Sequence, residues 1–383
     1  MKKIKVMSVF GTRPEAVKMA PLIKALEANT YMDSAVCVTA QHREMLDQVL
    51  DIFGIRPDFD LNIMQDRQTL ADITTRALEG LYDVFGKAAP DIVLVHGDTT
   101  TTFAAALAAY YLKIRVGHVE AGLRTHDKYF PYPEEMNRRL TGAIADLHFA
   151  PTVSNRDNLI REGVSPDKIY VTGNTVIDAL STTVSEDFVF EDPFLKGFDF
   201  GGKRVITMTA HRRENIGRPF EEIFSAVRKI ADEYSDVHIV YPVHLNPLVG
   251  EPARRILGGH PRIHLIKPVN VQEMHNLMAR SYFVMTDSGG LQEEAPSLGK
   301  PVLVLRNETE RPEAVRAGTV RLAGTSFDGV YKSARELLDR EEVYVKMARA
   351  VNPYGDGKAS RRIVEALLHS FGITEDRPAD FQA

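Results

Sequence analysis

The run Asp91-Ile92-Val93-Leu94-Val95-His96-Gly97-Asp98-Thr99-Thr100-Thr101-Thr102 sets the fold class. Its apolar stretch shows no polar alternation, so the strand it forms is covered on both faces, as strands of a parallel sheet are. An acid and a row of hydroxyls follow at once, suited to cap the helix that leads away. A strand that passes directly into a helix is the first half of a βαβ unit. The same alternation extends outward from this stretch. Strand-like runs stand at 4–10, 35–39, 115–119, 147–150 and 169–172, with helical patterns between them. The pattern restarts after 183–202, a segment rich in Asp, Phe and Gly, with runs at 205–209, 238–241, 263–266, 283–286 and 302–305. The expected architecture is α/β, with two doubly wound, Rossmann-like domains at 1–175 and 176–359. The Gly173-Asn174-Thr175 turn marks the hinge. An amphipathic helix over 360–368 opens a tail, 360–383, expected to pack back on the first domain.

Composition narrows the function. The chain has 383 residues, 44% of them hydrophobic, enough for two separate cores. A formal net charge of -5 supplies no basic field, so nucleic acid and anionic membrane surfaces are not expected partners. Cys37 is the only cysteine, which excludes an intrachain disulfide and a cysteine-built metal site and suits a reducing compartment. The N-terminal apolar run is too short for a signal peptide. The longest other, around 104–112, falls far below the roughly 20 residues a membrane helix needs. A soluble, cytoplasmic protein is expected.

In open α/β sheets ligands bind beyond the carboxyl ends of the strands, so polar residues at strand ends are the candidates. The first strand ends in Gly11-Thr12-Arg13-Pro14-Glu15, where Gly11 permits close backbone approach and Arg13 offers a planar fork of donors to a diphosphate. Asp98 ends the strand quoted above, either as a helix cap or as a functional acid. Glu120, in His118-Val119-Glu120-Ala121-Gly122, ends the next. Two carboxylates at adjacent strand ends, if desolvated together, should drive at least one pKa toward neutrality, as general acid or base work requires. Glu134 begins a helix after Pro131 and Pro133, and is either a further acid or a surface partner of Arg138 four residues on. In the second half, His211-Arg212-Arg213 gathers a titratable donor and two cations at a strand end. Ser288-Gly289-Gly290 opens a helix whose N–H groups suit phosphate oxygens, and Glu294 is placed to reach ribose hydroxyls. His-Glu-x-x-His is absent, and His118, His148, His238 and His264 fall in strand-like runs as structural residues. No metal and no cofactor are expected.

Gly-Thr-Arg-Pro-Glu-Ala (11–16), His-Gly-Asp-Thr (96–99), His-Val-Glu-Ala-Gly-Leu-Arg-Thr (118–125), Pro-Glu-Glu-Met-Asn-Arg (133–138), Ala-His-Arg-Arg-Glu-Asn (210–215) and Thr-Asp-Ser-Gly-Gly-Leu-Gln-Glu-Glu-Ala (286–295) together resemble the bacterial non-hydrolysing UDP-N-acetylglucosamine 2-epimerases. The resemblance spans most of the chain. It implies two Rossmann-like domains of the glycosyltransferase-B type facing a central cleft, a homodimer, and exchange of UDP-N-acetylglucosamine with UDP-N-acetylmannosamine for a cell-surface polysaccharide pathway. It implies UDP elimination to 2-acetamidoglucal followed by re-addition. Asp98, Glu120 and Glu134 are the implied proton-transfer residues. Arg13, His211, Ser288, Gly289, Gly290 and Glu294 are implied to hold UDP, with His211 also catalytic. A second UDP-N-acetylglucosamine, acting as activator, is implied near Gln41, His42 and Arg67.

Two departures stand out. Met274 or His275 occurs where some members place an aromatic residue near uracil, which leaves the backbone of 268–271 to recognise the base. Glu44 stands where a neutral Gln would suit a diphosphate better. The competing readings are a retaining glycosyltransferase of the same architecture, a hydrolysing epimerase, and a non-catalytic UDP-sugar sensor.

Overall fold

Uninterrupted Val, Ile and Leu runs favour strands buried on both faces, and the computed structural model of the chain places them in two all-parallel sheets. The structure describes residues 3–41, 43–65 and 67–383, without the side chains of 44 and 45. The chain divides into two units, Met1–Thr182 with Tyr354–Gln382, and Thr183–Pro353. In the first, β1 (Ile4–Phe10), β2 (Met32–Val38), β3 (Phe59–Asp60), β4 (Ile92–His96), β5 (Arg115–Val119), β6 (Leu147–Ala150) and β7 (Ile169–Val171) take the order β3-β2-β1-β4-β5-β6-β7. In the second, β8 (Arg204–Thr209), β9 (Val237–Pro242), β10 (Ile263–Ile266), β11 (Phe283–Thr286), β12 (Val302–Val304) and β13 (Val320–Leu322) take the order β10-β9-β8-β11-β12-β13. Both orders are doubly wound. Each reverses once, between β1 and β4 and between β8 and β11, and such a switch point opens a crevice beyond the strand ends. The strands β3 and β13 escape the sequence reading because β3 has two residues, Phe59 and Asp60, and Arg321 interrupts the apolar run of β13.

The core of the first unit joins Met7, Val9, Val93 and Val95 of the sheet to the helices Leu70–Ala88 and Thr100–Tyr111. The second of these helices buries eight of its twelve residues, five of them alanines, and these small side chains let both neighbouring helices and the sheet pack close. In the second unit, Phe220, Phe224 and Tyr241 fill the space between β8, β9 and the helix Arg218–Glu233. Among the described residues no helix is long and apolar enough to cross a membrane.

The division between units falls after the helix-forming stretch that begins at Thr175, not at the 175/176 turn read from sequence. The reason is a set of ties to the end of the chain. Asp178 accepts from Ala359 N at 3.1 Å and Ser360 N at 2.7 Å, capping the helix Ala359–Ser370. That helix packs on the helix Arg13–Glu27. Beyond it, Phe381 N donates to Val171 O at 2.7 Å and Val171 N to Asp380 Oδ1 at 2.9 Å, extending the edge at β7.

Asp178→Ala removes both capping acceptors, a loss of about 0.5–2 kcal/mol. Amides of 359–370 should then exchange with solvent several-fold to about 30-fold faster. Unaltered protection by hydrogen-exchange mass spectrometry would show that packing alone holds the tail.

Candidate active site

Gly11 follows β1 and Asp98 lies just beyond β4, so both stand at the first switch point. Only glycine fits at 11, where a Cβ would lie 2.1 Å from Thr39 Oγ1 and 2.6 Å from Thr101 Oγ1. The tight loop delivers Arg13 to the first turn of its helix, half-buried and with no hydrogen bond or ion pair among the described residues. Thr99, not Asp98, caps the helix Thr100–Tyr111, accepting from Thr102 N at 3.1 Å. Asp98 Oδ2 instead accepts from Arg138 Nε at 2.8 Å, and its backbone carbonyl accepts from Asn137 Nδ2 at 2.9 Å. Arg138 also donates to Glu135 at 3.2 Å, so the surface pair read between Glu134 and Arg138 is absent among the described contacts. Glu134 begins the helix Glu134–Ile144, and its Oε2 is buried with no hydrogen-bond partner.

Glu120 directly follows β5, the neighbour of β4, and holds φ at 61°. A left-handed residue other than glycine costs on the order of 1–3 kcal/mol, a strain that concentrates at functional sites. Its Oε2 gathers Lys18 Nζ, His96 Nε2 at 3.0 Å and Asn174 Nδ2 at 3.4 Å. Its Oε1 accepts no hydrogen bond among the described residues. Burial pushes the Glu120 pKa up, but Lys18 and His96 together outweigh it and hold the group well below the usual carboxylate range. The expectation of a carboxylate driven toward neutrality therefore fails at Glu120, because a cation shares its burial.

The second switch point gathers the other candidates. His211, half-buried in the loop after β8, lies parallel to His244 with ring centroids 5.7 Å apart. Burial lowers its pKa; Asp287 opposes the shift, while Arg212 and His244 add to it. Ser288, after β11, makes no side-chain capping bond to the helix Gly289–Ser297, which leaves that helix start uncapped. Arg212 Nη2, Arg311 Nη2 and Glu310 Oε2 each lie 3.9 Å from the point where a Cβ on Gly289 would sit. Two guanidiniums thus flank a glycine-bearing helix start, an arrangement matched to phosphate oxygens. Glu294 lies back over Gly290, its Oε2 3.3 Å from His275 Nε2. His275 is buried, with Nδ1 2.6 Å from Thr183 Oγ1, so its ring is not available to stack on a base.

Of the remaining candidates, Gln41 Oε1 accepts from Thr101 Oγ1 at 3.4 Å. Arg67 is exposed with φ at 55°. His42 lies outside the described residues. Among these no group of three or more His, Cys, Asp or Glu is placed to hold a metal ion.

Sequence reading passed over several residues that build the site. Glu15 is fully buried and accepts from Gly11 N (3.1 Å), Thr12 N (2.9 Å), Thr12 Oγ1 (2.7 Å), Thr99 Oγ1 (2.8 Å) and Thr102 Oγ1 (3.3 Å). The signal for it was Thr12-x-x-Glu15, the spacing of a capping box. Arg311 begins Arg311-Pro312-Glu313-Ala314-Val315, the same five residues as Arg13 to Val17, and that recurrence was its signal. His96 opens the quoted His-Gly-Asp-Thr motif without having been singled out, and Lys18 had no signal beyond lying near a motif.

The family model described as UDP-N-acetylglucosamine 2-epimerase matches residues 24–368. The UDP-N-acetylglucosamine 2-epimerase of Bacillus subtilis is 60% identical over 381 residues, covering 100% of this chain and 99% of its own. That of Escherichia coli K12 is 55% identical over 376 residues, covering 96% and 99%. The crystal structure of the Neisseria meningitidis UDP-GlcNAc 2-epimerase bound to UDP-GlcNAc superposes with a TM-score of 0.86 at 50% identity, covering 95% of this chain and 100% of that one.

A depressed carboxylate pKa contributes stability that is present above the unfolded value, about 4.3, and lost as pH falls through the folded one. Glu120 therefore stays charged through neutral and mildly acidic pH. Lys18→Met should move its titration up by about 1–3 pH units. Carboxyl NMR of the glutamate-labelled chain reads this directly, and an unmoved Glu120 would remove Lys18 from the account.

Proposed function

The chain belongs to the UDP-N-acetylglucosamine 2-epimerase family, and from that premise we propose that it interconverts UDP-N-acetylglucosamine and UDP-N-acetylmannosamine by inverting C2. The observation that supports this most directly is a pair of uncommitted carboxylate oxygens, Glu120 Oε1 and the buried Glu134 Oε2. Inversion at C2 needs two proton-transfer positions.

C2 of the sugar has no adjacent carbonyl to acidify its hydrogen, so direct deprotonation is too slow. Breaking the C1–O bond sends its electron pair to UDP and builds oxocarbenium character that acidifies C2. A carboxylate then takes the proton, leaving 2-acetamidoglucal. UDP adds back to C1 as a second group delivers a proton to the opposite face of C2. Asp98, Glu120 and Glu134 are assigned these transfers, each worth roughly 10²–10⁴ in rate. Arg13, His211 and the Ser288-Gly289-Gly290 helix start stabilise the diphosphate, at about 3–4 kcal/mol for a well-placed donor. Glu294 is assigned to the ribose. The same reading makes the chain a cytoplasmic homodimer that supplies a cell-surface polysaccharide pathway.

Incubation with UDP-N-acetylglucosamine in deuterated water should place deuterium at C2 of both epimers with UDP still attached. Accumulating free N-acetylmannosamine would favour hydrolysis instead, and transfer to an added acceptor a glycosyltransferase. Asp98→Asn and Glu120→Gln should each lower turnover at least ~10²-fold with little change in UDP affinity; near-normal turnover in either would exclude that residue.

Activation by a second UDP-N-acetylglucosamine is supported by one contact. Gln41 touches Thr101, which is also 2.9 Å from Thr39 and helps confine Gly11. A ligand that moves Gln41 therefore bears on the loop of Arg13. The reverse reaction from UDP-N-acetylmannosamine alone should lag until a trace of the other epimer is added, and Gln41→Ala or Arg67→Ala should abolish that response. A reverse reaction with no lag and no response would rule the effector site out.

A further inference from the structure

Asp287 lies one residue beyond β11 and is wholly buried, yet no Lys or Arg side chain forms an ion pair with its carboxylate among the described residues. A lone buried carboxylate is costly, so its hydrogen bonds show what it is for. Oδ2 accepts from His211 N and Arg212 N, both at 2.8 Å, and from Asn215 Nδ2 at 3.2 Å. Arg212 Nε turns to the Asp287 backbone carbonyl, at 3.3 Å, rather than to the carboxylate. Oδ1 is buried and has no hydrogen bond, and 3.4 Å away lies Nδ1 of His211.

A proton on Nδ1 is the group that would satisfy Oδ1. Nε2 then remains, across the ring, as the nitrogen open to a ligand. The frame is stiff. Thr209 Oγ1 and Thr286 Oγ1, one on each strand, are 2.6 Å apart, and Asp287 N donates to Thr209 O at 3.2 Å. Among the described residues, Arg212 of the same loop, His244 beyond β9 and Asp287 beyond β11 are the charged and titratable groups that act on the imidazole. Asp287 is the only anion of the three.

We propose that Asp287 is the positioning residue of His211, keeping Nδ1 protonated so that the imidazolium presents Nε2–H to the diphosphate oxygen that gains charge as the C1–O bond breaks. The diphosphate part rests on the epimerase reading; the pairing does not. No proton changes hands in this role. Asp287 holds one N–H, the leaving group receives a hydrogen bond from the other, and the imidazolium charge is balanced on both sides.

The test uses the full chain labelled with ¹⁵N-histidine, the His211 signals being assigned through His211→Gln. In the wild type the neutral ring should be the Nδ1–H tautomer. Asp287→Asn should lower the His211 titration by about 1–3 pH units. Above that titration kcat should fall about tenfold for each pH unit by which the midpoint drops, and the deficit should narrow as pH is lowered. An Nε2–H tautomer in the wild type would overturn the proposal, and that measurement stands even if the variant does not fold. So would an unmoved titration with a pH-independent loss of kcat. A wild type with the Nδ1–H tautomer but no turnover of UDP-N-acetylglucosamine would unseat the epimerase reading and leave the pairing in place.

Discussion

A buried carboxylate at each switch point laces together two loops that the chain otherwise leaves independent. Glu15 ties the loop after β1 to the start of the helix after β4, and Asp287 ties the loop after β8 to the end of β11. Burying a charge costs several kcal/mol unless its oxygens are satisfied, and each donor to a charged acceptor returns about 1.5–3 kcal/mol. At Glu15 burial still raises the pKa against hydrogen bonds from Thr12, Thr99 and Gly11. Geometry takes precedence there over local stability. Arg13 and Asp98 in one unit, and His211 and Ser288 in the other, have their positions only because these loops are held.

The two units differ in how they spend charge. In the first, donors are committed to single carboxylate oxygens: Lys18 and His96 meet Glu120 at Oε2, and Arg138 meets Asp98 at Oδ2. At Glu120 this keeps the acid ionised while Oε1 accepts no hydrogen bond among the described residues, which suits proton abstraction better than a carboxyl held neutral by burial. In the second, the guanidiniums of Arg212 and Arg311 flank a helix start, with Glu293 paired to Arg311 and Glu310 Oε2 at the same distance from Gly289 as the two cations. That is the polarity a diphosphate requires.

Much of this was legible in the chain. The apolar runs located most strands to within a few residues, because strands covered on both faces lack polar interruptions, while β3 has only two residues and β13 is interrupted by Arg321. The rule that ligands lie beyond strand ends selected Gly11, Asp98, Glu120, His211 and Ser288. Partners were not legible. Glu120 and Lys18 are 102 positions apart, and Asp98 and Arg138 are 40 apart, so no local spacing predicts either pair. Where local spacing did suggest a pair, Glu134 with Arg138, the helix turned Arg138 inward to Asp98 and Glu135 instead.

By itself the sequence determined the α/β class, the positions of the strands, and which polar residues stand at their carboxyl ends, since these follow from hydrophobic period and from glycine and threonine at the strand–helix junctions. Only the tertiary structure decided which oxygen of each acid is occupied, why Thr99 rather than Asp98 caps its helix, and that His275 is sealed inside the second unit. Crossovers bring side chains from distant segments to one switch point. A charge takes its partner from whatever the packed helices present there, a choice that does not exist until the sheets are formed.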